Sequence, residues 1–300
     1  MSAPDARIWS LRSADPGYPP GLLDLGPEAP AELLGVGNEE VVRGLEPDRT
    51  VTIVGARRAS SYGLRIAEGL GGHLAAAGLV VVSGMARGID AAAHRGALAA
   101  GGETIAVLAG GPDVIYPASE RRLYGEIVRR GAVVSEAPAG RRPDTWSFPV
   151  RNRLMAALAG MTVVVEAAQP SGSLITADRA LRLHRELGAV PGLVTSRIAE
   201  GTNQLIVDGA APVRGAQDVL DRMVGVGATH ARSTGPPLEP QLARVAELVE
   251  GGTASCDAVA AASGVDAGEA AVSLARLELL GYVCIDAGGR YWRTALARPE

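Results

Sequence analysis

Residues 51–60 read Val-Thr-Ile-Val-Gly-Ala-Arg-Arg-Ala-Ser, an apolar run that ends in a glycine, two arginines and a serine. Four more apolar runs follow, at 79–82, 104–108, 132–134 and 161–165. Stretches with helical spacing separate or follow them, at 62–77, 88–100, 119–130, 152–159 and 173–187. Strands that are apolar on both faces are typical of a parallel sheet with helices on each side. The alternation predicts an α/β fold with a doubly wound, mostly parallel sheet.

The rest of the chain suggests three further parts. We expect a short N-terminal segment at 1–44, the sheet domain at 45–220, a linker rich in glycine, serine and proline at 221–238, and a second domain at 239–300. In the last part, helical spacing precedes two short strands, with helices at 239–250, 255–262 and 266–280 and strands at 282–285 and 290–292. Three helices followed by a two-stranded wing are the order of a winged helix-turn-helix.

Charge is distributed unevenly along the 300 residues. The formal net charge is −4, yet residues 121–153 carry eight arginines against three acids. All 29 basic residues are arginine, so any phosphate contact from a basic side chain would come from a planar, always-charged guanidinium. Residues 239–300 are acidic instead, with nine acids and five arginines. A helix that follows phosphates should be basic, so we expect a structural role or protein contact for the second domain.

Several classes of protein are disfavoured by the sequence. No apolar run is long enough to span a membrane, and no apolar segment typical of a secretory signal is present. The two cysteines, Cys256 and Cys284, suggest neither a zinc site nor a disulfide framework. We therefore expect a cytoplasmic protein with no membrane contact, no metal and no cofactor.

Glycines, small hydroxyls and arginines follow the predicted strands. In doubly wound folds, ligands bind at the carboxyl ends of the strands. The residues there include Gly55 and Arg57 after the first run, Ser83, Gly84 and Arg87 after the second, and Ser171, Gly172 and Ser173 after the last. Two interpretations stay open at this point: these are ordinary helix caps and turns, or backbone amides and arginines together form a site for phosphate.

The segment Phe148-Pro149-Val150-Arg151-Asn152-Arg153 contains the chain's only phenylalanine. Beside a proline-stiffened turn, the ring can stack on a base, and the two guanidiniums can bind phosphates. The alternative is that Phe148 fills a gap in the core and that the arginines face water.

Signatures of catalysis are weak. Residues 55–63 lack the G-x-G-x-x-G pattern of dinucleotide-binding proteins, and no H-E-x-x-H metal motif occurs. The four histidines do not follow a recognisable Ser-His-Asp order. His94 lies one helical turn after Asp90, which we interpret as a structural hydrogen bond. We assign no catalytic residue.

Taken together, the motifs resemble the DNA processing protein A (DprA, also called Smf) family. The matching segments run in order from about residue 18 to residue 213, and they are Tyr18-Pro19, 54-VGARRAS-60, 83-SGMARGIDAAAH-94, 102-GETIAVLAGG-111, 115-IYP-117, 135-SEAP-138, 148-FPVRNR-153, 171-SGSLITA-177, 190-VPG-192 and 200-EGTNQLI-206. Each motif alone is weak, but the ordered set is specific.

The resemblance implies a Rossmann-like domain that forms a homodimer and a small winged helix after it. It implies a non-enzymatic protein that binds single-stranded DNA without sequence preference. Such a protein loads the recombinase RecA onto this DNA during natural transformation. Carried over to this chain, the phosphate pocket comprises Gly55, Arg57, Ser83, Gly84, Arg87, Arg151, Asn152, Arg153, Ser171, Gly172 and Ser173, with Phe148 as the stacking ring.

One departure from the family concerns the residues just before this ring. Some members carry a basic residue there, where this chain has Thr145, Trp146 and Ser147. Either Arg141 or Arg142 replaces that charge, or Trp146 adds a second ring. A second departure is that only 17 residues precede Tyr18, where many members carry a longer helical domain.

An enzymatic alternative is a nucleotide hydrolase similar to the LOG-like phosphoribohydrolases, which share the fold type. Those enzymes carry a P-G-G-x-G-T-x-x-E pattern, whereas this chain has Ser171-Gly172-Ser173-Leu174-Ile175-Thr176 with Glu166 upstream. The difference disfavours the enzyme. A third interpretation, a ligand sensor whose winged helix regulates transcription, is disfavoured by the acidic candidate recognition helix at 266–280.

Overall fold

The structure is a computed structural model, and it describes residues 7–226, 237–253, 255–285 and 288–293. The chain divides into two compact units, Met1–Ala231 and Arg232–Glu300. Of the linker expected at 221–238, the first residues belong to a helix that ends at Met223, and residues 227–236 lie outside the described part.

The described part of the first unit contains a nine-stranded sheet flanked by helices. Its strands are β1 (Ile8–Arg12), β2 (Glu32–Gly37), β3 (Thr50–Val54), β4 (Val80–Ser83), β5 (Thr104–Val107), β6 (Ala132–Ser135), β7 (Met161–Val164), β8 (Glu186–Ala189) and β9 (Ala211–Pro212). Its α-helices are α1 (Pro20–Leu23), α2 (Ser61–Ala76), α3 (Ile89–Ala99), α4 (Arg121–Arg130), α5 (Ser147–Leu158), α6 (Gly172–Arg182), α7 (Glu200–Val207) and α8 (Ala216–Met223).

The strand order is β1-β2-β6-β5-β4-β3-β7-β8-β9, and the seven strands from β6 to β9 in that order pair in parallel. The predicted doubly wound, mostly parallel α/β fold is confirmed. β3 lies between β4 and β7, with Val51 in register with Val81 on one side and Met161 on the other. The chain therefore continues from β3 to β4 on one side, and it later adds β7 on the other side of β3. This reversal of strand order places a topological switch point at the carboxyl end of β3.

The sheet begins earlier in the chain than the boundary at residue 45 that the sequence suggested. β1 and β2 form an antiparallel pair, and β2 pairs antiparallel with β6, with Leu34 opposite Ser135. Only Leu11 of β1 is fully buried. Edge strands with one solvated face alternate polar and apolar residues, so they lack the continuous apolar run by which the central strands were predicted.

Helices cover both faces of the sheet. α5 and α6 pack together on one face, where Leu154 and Ala177 belong to one buried cluster. α2 and α3 pack on the other, where Leu74 and Ala93 belong to a second. A Cβ on Gly71 would lie 2.2 Å from the carbonyl oxygen of Ala93, and one on Gly96 would lie 1.9 Å from that of Glu68, so this helix pair requires glycine at both contacts.

Two helix bounds differ from expectation, and the first of them matters for the site. α5 begins at Ser147 rather than 152, so Phe148 lies in the first turn of a helix and not in a loop. α6 ends at Arg182. His184 follows it in a left-handed backbone conformation, with a φ of 55°, before β8 begins. β8 was missed because Glu-Leu-Gly-Ala has little β-branched character.

The described residues of the second unit form three helices and a two-stranded sheet, as predicted. They are α9 (Pro240–Glu250), α10 (Cys256–Ser263), α11 (Ala267–Leu279), β10 (Val283–Ile285) and β11 (Tyr291–Arg293), with the strands antiparallel. Leu242, Val259, Leu274 and Tyr282 form part of its buried core. Within both units, the described residues include no helix long and apolar enough to cross a membrane.

Candidate nucleic-acid interface

Two adjoining cavities open at the carboxyl edge of the central strands. Five residues line both cavities and so lie between them: Arg57, Ala86, Tyr116, Phe148 and Arg151. The larger, about 1190 Å³ of space open to solvent, is also lined by Gly55, Asp90, Asn152, Ser171, Gly172, Ser173 and Thr176. The smaller, about 490 Å³, is also lined by Gly84, Arg87, Gly110 and Pro143. We call the two together the cleft.

An aromatic and cationic cluster lies at the centre of the cleft. The guanidinium carbon of Arg57 lies 5.1 Å from the centre of the Phe148 ring, a cation–π contact. The ring of Tyr116 lies 5.5 Å from Phe148 at an interplanar angle of 48°. Phe148 is half-buried and Arg57 is exposed, so the cluster faces the cleft from the surface. The sequence alternative of a sealed core phenylalanine does not fit this position.

The start of α5 places Phe148. The carboxylate of Asp144 accepts hydrogen bonds from the backbone N–H groups of Trp146 (3.0 Å) and Ser147 (2.8 Å). The Ser147 hydroxyl in return accepts one from the backbone N–H of Asp144 (2.9 Å). These reciprocal hydrogen bonds fix the turn at 144–147 that leads into α5, whose N-cap residue, Trp146, makes no side-chain cap hydrogen bond. Pro149 suits the first helical turn because its nitrogen needs no partner there. The ring therefore projects from a fixed helix end.

The loop that carries Arg57 is fixed from both sides. Ser60 caps α2 by accepting from the Gly63 N–H, and its own N–H and hydroxyl donate to the Glu166 carboxylate at 2.9 and 2.5 Å. From the other side, Gly88 packs against the loop with a φ of 83°, and a Cβ there would lie 2.3 Å from the carbonyl oxygen of Ala56. These contacts hold the Arg57 backbone while its side chain forms no ion pair with the described residues.

Beneath the aromatic cluster lies a buried pair of opposite charges, Asp90 and Arg151. Arg151 donates to the carbonyl oxygen of Val107, and its Nε has no hydrogen-bond partner among the described residues. Asp90 accepts from the Ala86 N–H at 3.3 Å. Burial raises the pKa of Asp90 to about 6, an effect that the positive charge of Arg151 opposes. Burial lowers the pKa of Arg151 to about 10, which still leaves it charged at neutral pH.

The N-terminus of α6 forms another wall of the larger cavity. Ser171 caps this helix, its hydroxyl lies 2.8 Å from that of Ser173, and Asn152 donates to the Gly172 carbonyl at 3.0 Å. The first N–H groups of a helix and its dipole favour an anion at this position. The cleft thus combines guanidiniums, a helix N-terminus and an aromatic face, which are groups that bind phosphates and bases.

Two residues of the predicted site lie elsewhere. Arg153 is buried, pairs with both carboxylate oxygens of Glu136 and donates to the carbonyl oxygens of Glu28 and Val150. The hydroxyl of Ser83 is buried and donates to the Ile53 carbonyl at 2.5 Å. Neither side chain lines the cleft, so we leave both out of the proposed interface.

Tyr116 and Asp90 line the cleft, although neither was predicted from the sequence as a site residue. Tyr116 belongs to the motif 115-IYP-117, and its position after β5 is the signal that could have placed it at the carboxyl edge of the sheet. Asp90 was paired with His94, but the His94 ring instead hydrogen-bonds the hydroxyl of Thr104 at 2.7 Å. His94 is buried, which lowers its pKa to about 3. The expected hydrogen bond between Asp90 and His94 is therefore wrong.

The enzymatic alternative finds little support in the arrangement. Ser60 donates to both carboxylate oxygens of Glu166. A Cβ added to Gly63 would lie 2.3 Å from this carboxylate, so Glu166 is packed against the α2 backbone. Within the described ranges, no group of three or more His, Cys, Asp or Glu side chains is placed to bind a metal ion.

Comparison with known protein families gives two matches. Residues 9–224 match the family model described as DNA recombination-mediator protein A. Residues 229–289 match the model described as DprA winged helix domain. Together they cover the cleft and most of the second unit, up to residue 289.

Similar individual proteins carry related names. The chain is 40% identical over 252 residues to the putative DNA processing protein DprA of Mycobacterium tuberculosis, covering 82% of this chain but only 64% of that protein. It is 33% identical over 317 residues to Protein Smf of Synechocystis, covering 94% and 79%.

Two solved structures are similar to this one. The structure of DNA processing protein A from Streptococcus pneumoniae has a TM-score of 0.66 at 38% identity, covering 71% of this chain and 74% of that one. A structure of DNA processing protein A from Helicobacter pylori, described for its single-stranded DNA binding mode, has a TM-score of 0.66 at 28% identity, covering 75% and 98%.

Proposed function

Because this chain belongs to the DNA recombination-mediator protein A family, also called DprA or Smf, we propose that it binds single-stranded DNA in the cleft and loads the recombinase RecA onto it. One observation carries the proposal. Arg57 and Phe148 stack at the opening of a cleft whose walls also include Arg151 and the N-terminus of α6. A base face and a phosphate can therefore be bound at the same place.

The groups divide into two roles. Phe148 offers its ring to a base, an interaction that is tolerant of sequence because every base has a flat face. Arg57, Arg87 and the N–H groups at the start of α6 bind the phosphates on either side. A base in a duplex is already stacked and paired, so this combination selects single strands. Gly55 and Gly84 belong to the proposed interface as positions where the protein backbone comes close to the DNA. A side chain would not fit at Gly84, because a Cβ there would lie 2.3 Å from the Arg151 side chain.

Arg151 acts mainly by position. It is almost fully buried beside Asp90 and donates to the backbone at Val107. We propose that it supplies a fixed positive charge under the phosphates while Asn152 orients the Gly172 carbonyl and so the start of α6. Protein and DNA form and break only non-covalent contacts in this account.

The further partners rest on family membership. We propose that RecA receives the bound strand, in natural transformation or another recombination route in the cytoplasm. We also propose a homodimer, for which Leu181 on α6 and Val207 on α7 are candidate contact residues because they are apolar and more than half exposed. Light scattering of the purified chain, with Val207→Arg as the variant, tests the dimer.

Titration of labelled single- and double-stranded oligonucleotides of one sequence, over a range of salt concentrations, tests the DNA-binding proposal. We expect tighter binding of the single strand and a linear fall of log affinity with log salt. Equal affinity for both forms at every salt concentration would contradict it. Incubation with nucleoside monophosphates, monitored for release of the base, tests the hydrolase alternative; we expect no release.

A further inference from the structure

Trp146 is the most exposed aromatic side chain among the described residues. Its relative exposure is 83%, whereas Tyr116, Tyr62 and Trp292 are exposed by 46% or less. An indole is a large apolar surface with a π face, and such rings are normally packed or bound to something. Among the described residues, no ring contact or side-chain hydrogen bond of the indole accounts for its presence.

The local backbone does not depend on the indole. Asp144 and Ser147 form a reciprocally hydrogen-bonded turn that leads into α5, and Trp146 contributes only its backbone N–H and carbonyl groups to the hydrogen bonds there. An alanine could make the same bonds. The side chain is therefore held out from a rigid turn without stabilising that turn.

Trp146 stands at the rim of the cleft. Thr145, directly before it, and Pro149, three residues after it, line the larger cavity, and Pro143 lines the smaller one. Trp146 itself lines neither cavity. A polymer that leaves the cleft past Phe148 on this side has the indole beside its path.

The surroundings of Trp146 suit a polyanion. Arg141 and Arg142 are both exposed, and Arg142 has no ion-pair partner within the described ranges. Two acids lie close by, and both are engaged: Asp113 accepts from the Gly140 N–H, and Asp144 accepts from two backbone N–H groups. The hydrogen bond from the Ser147 backbone is the main cause that lowers the pKa of Asp144. Its contact with Arg141 is long, at 3.5 Å. Two guanidiniums are thus available beside an exposed ring.

We propose that Trp146 is a second stacking platform, which takes a nucleobase of the same single strand after the strand passes Phe148, with Arg141 and Arg142 beside the intervening phosphates. This inference rests on the proposed function and extends the binding site beyond the cleft. The occupant is an unpaired base of any identity, because the recognition is by stacking and not by hydrogen bonds to base edges.

Oligothymidylates of about 4 to about 16 nucleotides, the usual range of single-strand site sizes, separate this inference from the proposed function. The variants are Trp146→Ala, Trp146→Phe and Phe148→Ala, with Trp292→Phe in the second unit as a matched tryptophan control. Affinity and intrinsic fluorescence are measured for each, and thermal unfolding reports on the fold.

We expect Trp146→Ala to weaken binding of the longer oligonucleotides by about 5- to 150-fold, the range expected when one base stack is removed. Trp146→Phe retains most of the affinity but loses the quenching of fluorescence that DNA causes in the wild type. The shortest oligonucleotides that bind fill only the cleft, so Trp146→Ala leaves their affinity unchanged. The slope of log affinity against log salt also stays unchanged, because the indole binds no phosphate.

Unchanged affinity of Trp146→Ala for every length, together with weakened binding by Phe148→Ala, would overturn this inference and leave the proposed function intact. No binding of any oligonucleotide by the wild type would overturn the proposed function first. Equal losses for short and long oligonucleotides would also overturn the inference, since they would place Trp146 within the cleft site.

Discussion

The guanidinium of Arg57, from the loop after β3, lies 5.1 Å from the centre of the Phe148 ring at the start of α5. These residues are 91 positions apart in the sequence, and they meet because β3 lies at the switch point of the sheet. The contact keeps a positive charge and an aromatic face at one opening, where an unpaired nucleotide presents the complementary phosphate and base.

Exposed arginines of the cleft should control the salt dependence of DNA binding. Arg57→Ala and Arg87→Ala are each expected to lower the slope of log affinity against log salt by about 0.7 for every phosphate that the variant no longer neutralises. Arg65→Ala on α2 is a matched control, because Arg65 is exposed and lines neither cavity. An unchanged slope with Arg57→Ala would remove that residue from the phosphate site.

Arg153 should contribute to stability and not to DNA binding. Its removal leaves the Glu136 carboxylate and the Glu28 carbonyl oxygen without this donor in a largely buried place, which we expect to cost about 3 kcal/mol of unfolding free energy. Denaturant unfolding measures this. Arg182→Ala removes the exposed ion pair with Asp178 and should cost less than about 1 kcal/mol. A lowered salt slope for folded Arg153→Ala would contradict the assignment.

Asp90 should couple DNA binding to pH. Its pKa is raised to about 6, so it takes up a proton as the pH falls from 7.5 to 5.5, and the cleft loses a negative charge beside Arg151. Affinity for single-stranded DNA should rise over this range, by at most about tenfold per pH unit for one group. His94, with a pKa of about 3, stays neutral there. Asp90→Asn should remove this part of the pH dependence; an equally steep profile in that variant would contradict it.

The same shift predicts a direction for stability. Between the ordinary carboxyl pKa of 3.8 and the raised value near 6, the folded state holds the Asp90 proton more firmly than the unfolded chain. The contribution of Asp90 to unfolding free energy should therefore increase as the pH falls through 6 and approach its full value below 4. Comparison of wild type and Asp90→Asn by denaturant unfolding at pH 7 and pH 5 measures it.

Gly88 should affect DNA binding without touching DNA. A Cβ at this position would clash with the carbonyl oxygen of Ala56 at 2.3 Å, and its φ of 83° also disfavours alanine. Gly88→Ala should displace the Arg57 loop and weaken both stability and DNA affinity. Gly78→Ala has a similar φ of 88° but meets nothing within 4 Å, so it controls for backbone strain alone. Equal DNA affinity of the two variants would contradict this account.

The central strands were predictable because both of their faces are buried, which leaves continuous apolar runs such as Val51–Val54 in the sequence. β1 and β8 were not, since one alternates polar and apolar residues and the other contains Gly188 and Ala189. Both pair with strands that neighbour them in chain order, β1 with β2 and β8 with β7 and β9, so their own residues and not the distance to their partners hid them.

From the sequence, the site could be predicted only to the extent that residues following parallel strands lie at the same edge of the sheet. Arg151 and Arg153 were grouped because they share one motif, yet residues two apart on a helix point about 200° from each other. The sequence pattern placed the start of α5 at 152, so this divergence was not foreseen. The helix begins earlier, at Ser147, after the hydrogen-bonded turn between Asp144 and Ser147. Tertiary packing then decides which arginine faces the cleft and which is paired inside.

Whether the Phe148 ring holds a base is tested most directly by the affinity for single-stranded DNA. This affinity is compared for wild type, Phe148→Trp and Phe148→Ala at one salt concentration, with thermal unfolding measured in parallel. We predict that Phe148→Trp binds nearly as tightly as wild type, and that Phe148→Ala loses about 1–3 kcal/mol of binding free energy with its fold intact. Wild-type affinity in Phe148→Ala, with a loss of thermal stability instead, would show that the ring fills space and does not hold a base.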